Sequence, residues 1–381
     1  MAPLPLSAVD HMWTANMAGP LQFVVEFDAE LDAERLVAAY IETAREFAGA
    51  DAALVQLDEH TLAMDVDDPR PEIRATTGDP DAPLSECVDP VRIGRGHVLA
   101  RGRVVRRGDR TAIGLSMSHG LADGYGLFFF LAAWAARSRG ARFLSPRCDR
   151  TVLTRPQARE RDRVDPEALR RAGFVTVAPD AVLPELEVRT GALDLTEFEA
   201  QAQDSGLSTA NLLAASLFRD YAAIADTERI TLACPVDIRR HVRELGPTYF
   251  GNGFLQVLLE VETGWVREST VAEIAGRVRA EIDTVPGRID DAVAEIETFL
   301  RVRGLAALDR VWGYPPDSGF LVSDVSRIPA SWLDFGAGPP VAQVTPARRP
   351  RQHGCYLLPD PERAHGLHWA STLDHEPVRQ S

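Results

Sequence analysis

No lysine occurs anywhere in the 381 residues; all 41 basic side chains are arginine. That excludes a Schiff base to a carbonyl cofactor, an attachment point for biotin or lipoate, and the lysine of a P-loop. Cysteine is nearly as scarce. Cys87, Cys148, Cys234 and Cys355 lie far apart with no Cys-x-x-Cys pair, so neither a zinc site nor a disulfide framework is expected. Long apolar runs are missing too. The longest, LFFFLAAWAA at 127–136, is too short to span a bilayer. The opening MAPLPLSAVDHMW lacks the basic and apolar regions of a signal peptide. The pairs Gly94/Gly96 and Gly336/Gly338 lack the third glycine of a dinucleotide fingerprint. These absences predict a cytoplasmic, monomeric protein with no metal and no permanently bound cofactor.

What is present describes a folded chain. Hydrophobic residues make up 45% and charged residues 25%, enough for two domains or one large pseudo-duplicated one. The net charge of −15 argues against nucleic-acid binding and against a cationic membrane-surface protein. One stretch runs the other way. Arg137 to Arg171 holds eleven arginines against Asp149, Glu160, Asp162, Asp165 and Glu167, a local +6. The plain reading is a solvated linker; the other is a surface for an anionic partner.

Strand-like and helix-like segments mix in both halves. LQFVVEF (21–27) alternates as a strand, and Asp32 caps a helical pattern to Ala48. Residues 96–118 read as two strands turning at Gly108-Asp109, with a helix from the following loop to Arg137. Proline- and arginine-rich 145–184 reads as a crossover between an N-terminal lobe, 1–144, and a C-terminal lobe, 185–381. In the second lobe Thr196 and Ser208 are expected to cap helices, and 229–239 and 253–262 are expected strands. Two further helices follow, then three closing strands near 319–325, 355–359 and 366–373. The fold class is α/β, with α+β layers and mixed sheets.

The chemistry points to SMSHGLADGYG (116–126), a loop between an apolar strand and an apolar helix. Its glycines Gly120, Gly124 and Gly126 permit tight backbone and close approach of a ligand. His119 is the loop's only side chain able to take and return a proton near neutral pH. Asp123 could orient the ring, or pair with an arginine and hold the loop's shape. Taken alone, His-x-x-x-Asp is equally an ordinary strand-to-helix turn.

Two further stretches change the weighing: Asp237-Ile238-Arg239 with Tyr249-Phe250-Gly251-Asn252, then Asp334-Phe335-Gly336-Ala337-Gly338. In that order, with the opening LSAVDHMW, they resemble the BAHD acyltransferases of the chloramphenicol acetyltransferase superfamily, with their HxxxD and DFGWG motifs. The resemblance covers most of the chain. It departs at Ala337, where the family has tryptophan, and at Ser118, where condensation domains and wax-ester synthases have a second histidine.

The resemblance implies two chloramphenicol acetyltransferase-like lobes meeting at an interface tunnel. His119 Nε2 would take the acceptor's proton during attack on an acyl thioester and return it to the thiolate. It implies Ser323, or backbone N–H groups near Gly124, as oxyanion donors, and Asn252 as a tunnel residue. It implies a remote structural ion pair between Asp334 and Arg239, beside Gly336. Acyl-CoA would be the co-substrate and a small natural product the acceptor, with a hydroxyl or an amine accepting the group. Arg348, Arg349 and Arg351 could meet the phosphates of coenzyme A or an acidic acyl carrier protein bearing phosphopantetheine. A repurposed member that binds a ligand or cyclises a substrate is the alternative of another class. His11, His97, His241, His353, His365, His368 and His375 read as surface or packing residues.

Overall fold

The computed structural model describes residues 2–15, 19–154, 161–178, 185–345, 352–361, 363 and 365–373. The chain begins β1 (Leu4–Pro5), α1 (Ala8–Met12), β2 (Leu21–Phe27), α2 (Ala33–Glu46), β3 (Ala53–Gln56), β4 (Leu62–Asp65) and β5 (Glu72–Thr77). It continues β6 (Ala100–Arg107), β7 (Arg110–Met117), α3 (Gly124–Ser138), α4 (Pro166–Arg171), β8 (Val175–Thr176), β9 (Arg189–Asp194), α5 (Thr196–Ser205) and α6 (Thr209–Ile224). Then come β10 (Arg229–Asp237), β11 (Phe254–Glu262), α7 (Thr263–Glu268), α8 (Val271–Ile282), α9 (Val285–Arg303) and β12 (Val311–Trp312). β13 (Gly319–Asp324), β14 (Ala342–Val344), β15 (His353–Pro359) and β16 (Gly366–Ser371) follow.

Two mixed sheets organise these elements. One has the order β14-β2-β7-β6-β5, the other β11-β10-β13-β15-β16-β9. In the first, β5 runs parallel to β6; in the second, β13 runs parallel to β10 and β15. Alternation decides which face each strand buries. Phe23, Val25 and Phe27 of β2 join Ile113, Leu115 and Met117 of β7 in a core with α2 and α3. Val24 and Ala112 face the other way, against Cys87 and Val105. The apolar segment near 127–136 becomes α3, a helix buried on nearly all sides within one core, not a surface amphipath. The helices α6 and α8 pack on the second sheet, and a third core joins α1, α4, α9 and β11.

The division at 145–184 does not follow the sheets. β14, from the C-terminal half, pairs antiparallel with β2, and α1 packs into the core of α9. The described part of the arginine-rich segment is largely exposed, Arg139, Arg142, Arg147, Arg163 and Arg171 included, yet it is tied to the rest of the fold at a few points. Arg150 and Leu153 are buried, and residues 147–150 run beside 248–250 through Arg147 N–H to Thr248 O and Phe250 N–H to Arg147 O. Arg161 pairs with Glu295 at 3.0 Å and Arg170 with Glu260, so these charges are met internally. Helix α5 opens differently from expectation: Asp194 accepts from Thr196 N–H at 2.8 Å, and Thr196 is the first helical residue rather than the cap. Ser208 caps α6 by accepting from Asn211 N–H. Among the described residues no helix is long and apolar enough to cross a membrane.

Candidate active site

His119 leaves the end of β7 on a turn closed by Leu121 N–H donating to Ser118 O at 2.9 Å. The turn lies against the end of α1. A Cβ on Gly120 would stand 2.6 Å from Thr14 Cγ2, so a side chain there would push the two apart. Asp123 stops the turn and starts α3, its Oδ1 accepting from Gly126 N–H at 2.8 Å.

The same carboxylate receives a second element. Arg239 donates from Nη2 to Asp123 Oδ1 at 2.9 Å and from Nη1 to Oδ2 at 2.8 Å. Gly253 N–H donates to Oδ2 at 3.0 Å. This forked pair is buried on both sides. Arg239 also donates to the carbonyls of Tyr249 and Gly251 and lies 4.8 Å from the centre of the Tyr125 ring. Burial opposes its charge most strongly, but Asp123 and Asp237 together hold its pKa above the ordinary arginine value. The glycines of FGNG make this possible. A Cβ on Gly253 would lie 2.6 Å from the Arg239 guanidinium, and one on Gly251 would collide with the guanidinium of Arg150.

Arg239 therefore pairs with Asp123, not with Asp334 as the sequence suggested. Asp334 lies elsewhere. Its Oδ1 accepts from Gly336 N–H at 2.7 Å and Gly338 N–H at 2.9 Å, and its Oδ2 is 3.6 Å from Arg139. Phe335 is buried, edge-on to Trp134 at 5.3 Å and to Phe27 at 5.8 Å. Gly336 and Gly338 adopt φ of 117° and 83°, which a side chain would strain. The DFGAG loop is thus a shaped turn that delivers β14 to the first sheet.

The imidazole of His119 is held from three sides. Trp13 stacks on it at 4.5 Å with planes 17° apart, and Phe254 lies 6.0 Å away. Asn252 Oδ1 is 3.1 Å from Nδ1. The side-chain amide of Asn252 donates from Nδ2 to His119 O and to Asp10 Oδ1, both at 2.8 Å. Two acceptors fix Nδ2, so the oxygen must face the ring, and Nδ1 must carry the proton. Nε2 then keeps its lone pair. Burial lowers the pKa of His119 below 6.5, against the pull of its own carbonyl, Asp123, Asn252 and Asp10.

Behind Asn252 stands Asp10, fully buried. Its helix α1 opens with a capping box, Ser7 Oγ accepting from Asp10 N–H and Ser7 N–H donating to Asp10 Oδ2 at 3.0 Å. Arg150 Nη1 donates to Oδ2 at 3.1 Å and Arg150 Nη2 to Leu121 O at 3.0 Å, tying both to the His119 turn. Neither Asp10, Arg150 nor Trp13 was singled out from sequence. The signal for Asp10 and Trp13 was the opening LSAVDHMW, which fits a capping box and the family resemblance but assigns neither residue to a site.

Ser323 lies half-buried on β13 opposite Tyr356. Two residues on, Val325 Cγ1 lies 3.3 Å from where a Cβ on Gly124 would stand, so the end of this strand reaches the start of α3. Arg348, Arg349 and Arg351 fall outside the described residues. His11 is a packing histidine: Leu62 N–H donates to Nε2 at 2.8 Å, and Nδ1 lies 2.7 Å from Ser7 O.

The Transferase family profile matches residues 107–380. The chain belongs to this family, the BAHD acyltransferases. Tryptamine hydroxycinnamoyltransferase 2 of Oryza sativa subsp. japonica is 26% identical over 252 residues, 61% of this chain and 56% of that protein. The chain thus spans little more than half the length of this curated relative. TRI101 of F. sporotrichioides, solved with coenzyme A and T-2, is similar in structure with a TM-score of 0.78 at 14% identity, covering 97% of this chain and 94% of that one. Vinorine synthase is similar with a TM-score of 0.64 at 16% identity, covering 98% and 91%. At these identities the likeness establishes the fold, that of the chloramphenicol acetyltransferase-like acyltransferases.

Proposed function

We propose that this BAHD protein moves an acyl group from an acyl thioester, acyl-CoA, to the hydroxyl of a small natural-product acceptor. His119 is the general base. Its Nε2 accepts the acceptor's proton as the oxygen attacks the thioester carbonyl. The tetrahedral intermediate then collapses, the C–S bond breaks, and the proton passes from Nε2 to the leaving thiolate. Ser323 or the backbone near Gly124 stabilises the oxyanion.

The observation that carries this reading is the engaged Nδ1. With Asn252 Oδ1 at 3.1 Å, the neutral ring has its free lone pair on Nε2, the form a base requires. Burial, rather than the stack on Trp13, disfavours the charged imidazolium. Asp123 does not touch the substrate in this reading; it shapes the loop through Arg239 and the cap of α3.

The test is thiol release from acyl-CoA with a panel of acceptors. The panel includes amines, because tryptamine hydroxycinnamoyltransferase 2 is named for an amine. A parallel series uses an acylated carrier protein as donor. Acceptor-dependent release that disappears in His119→Ala supports the reading. Ligand binding with no release from either donor would favour a repurposed member.

A further inference from the structure

We propose that Asp10 is a positioning residue for His119, acting through the side-chain amide of Asn252. The chain of contacts is continuous. Asp10 Oδ1 accepts from both N–H and Nδ2 of Asn252, at 3.0 and 2.8 Å. The opposite end of that amide, Oδ1, meets His119 Nδ1. A carboxylate can only accept, as can His119 O, which takes the other Nδ2 bond, so Asp10 and that carbonyl together forbid the flipped amide, and the unflipped amide forbids a lone pair on Nδ1. Asp10 thereby helps to select the tautomer of a ring it does not touch.

The carboxylate is itself fixed. Ser7 N–H and Oγ–H donate to Oδ2 at 3.0 and 2.7 Å, and Arg150 donates to the same oxygen. Those donors come from α1 and from the segment near 150, while Asn252 comes from the segment leading into β11. Three parts of the chain, far apart in sequence, converge on one amide orientation. A capping box alone asks for a Glu or Asp at this place but not for burial or for a donor from residue 252. The second use explains why Asp10 is buried completely. The arrangement has the logic of a carboxylate that orients a catalytic imidazole, with an amide interposed.

The inference rests on the general-base reading only for its kinetic consequence; the tautomer is measured without substrate. Long-range 1H–15N spectra of protein carrying 15N-histidine report it directly, with the His119 signals assigned by their loss in His119→Ala. Wild type should show Nδ1 protonated and Nε2 bare. In Asn252→Ala, and to a smaller extent in Asp10→Ala, where His119 O still holds the amide, population should move to the Nε2–H form that free imidazole favours. The kcat for acyl transfer should fall on the order of tenfold or more, with KM for the thioester little changed. Asp10→Ala strands Arg150, so Asp10→Ala/Arg150→Met is the companion variant if the single one fails to fold. Wild-type His119 protonated on Nε2, or folded variants that keep the wild-type tautomer, would overturn the proposal. A tautomer that moves while kcat does not would support it and count instead against His119 as the base.

Discussion

Two buried arginine–aspartate pairs flank His119, and they are built for different work. Arg239 grips Asp123 with both nitrogens of its fork, and Asp123 also caps α3. That pair holds the backbone on the far side of the histidine. Arg150 offers Asp10 a single nitrogen at 3.1 Å, and Asp10 passes its influence to the ring through Asn252. That pair holds the imidazole itself. One fixes where the loop is, the other which ring nitrogen is free. A buried pair is weak evidence for stability, since desolvation offsets much of its attraction; the clearer consequence is one defined geometry.

The largest expected effect lies between the pairs. His119→Ala should reduce turnover about a hundred- to ten-thousandfold, the usual worth of a positioned general base. Thermal unfolding should show a melting temperature close to wild type, because the ring is half-buried and gives up one hydrogen bond with its stack on Trp13. A variant that keeps most of its rate in the thiol-release assay would break the comparison, since neither pair would then serve catalysis.

Next in size is Asp123→Ala. Arg239 would stay charged and buried with Asp237 Oδ1, at 3.2 Å from Nη1 and half exposed, as its remaining carboxylate, which costs about 3 kcal/mol. The cap of α3 and the Gly253 N–H lose their acceptor at the same time. Activity and stability should fall together, read by urea unfolding beside the rate. Arg150→Met sharpens the contrast. It leaves Asp10 with Ser7 N–H, Ser7 Oγ–H and both donors of Asn252. Only one charge-assisted bond and the bond to Leu121 O are lost, so the stability cost should be about 1–3 kcal/mol. Equal costs for the two variants would show that the pairs are alike after all.

The two pairs were not equally legible. Regular elements followed from alternation and turns: the hairpin at Gly108 appears between β6 and β7, and Asp32 caps α2. Asp123 and Arg239 each stood in a recognisable stretch, yet sequence assigned the arginine to the wrong aspartate. Charge complementarity says that a buried arginine needs a carboxylate but not which one. Arg150 was hidden more deeply. It lies 140 positions from Asp10, in a stretch whose proline and arginine content looks like a solvated linker. β14 escaped notice for a similar reason. Three half-buried residues carry no periodicity, and their partner β2 is near the other end of the chain. Local pattern reports local structure, whereas these features exist only after distant segments meet.

A smaller effect is the pH dependence. Burial holds the pKa of His119 below 6.5, so the base form dominates at neutral pH. The rate should be flat above neutrality and fall as pH drops below about 6.5, when Nε2 takes a proton. Stability should move the same way. His11 is also lowered by burial, and its Nε2 accepts from Leu62 N–H, which a second ring proton would displace. Both histidines bind protons more readily in the unfolded chain, so stability is present above about 6.5 and lost as pH falls. In Asn252→Ala the stability limb from His11 should remain while the rate profile changes. A limb above neutrality would mean that some other group limits turnover.

The smallest effect is expected at Asp334, and it separates the DFGAG loop from both pairs. Asp334→Ala removes two bonds, to Gly336 N–H and Gly338 N–H, and a 3.6 Å contact with Arg139. The ion-pair contact is partly exposed and contributes little. The two bonds are worth about 1–2 kcal/mol together, because both N–H groups lie near enough to the surface for water to replace the carboxylate. Phe335 stays buried against Trp134 and Phe27, which keeps the turn anchored. Any loss should therefore appear as a modest drop in melting temperature with kcat within about twofold of wild type. The double variant Asp334→Ala/Asp123→Ala should be additive in unfolding free energy to within about 0.5 kcal/mol, because the two carboxylates share no partner. A strongly non-additive cycle, or a selective loss of turnover in Asp334→Ala alone, would place the DFGAG loop in the His119 network and require a path from Arg139 to the site.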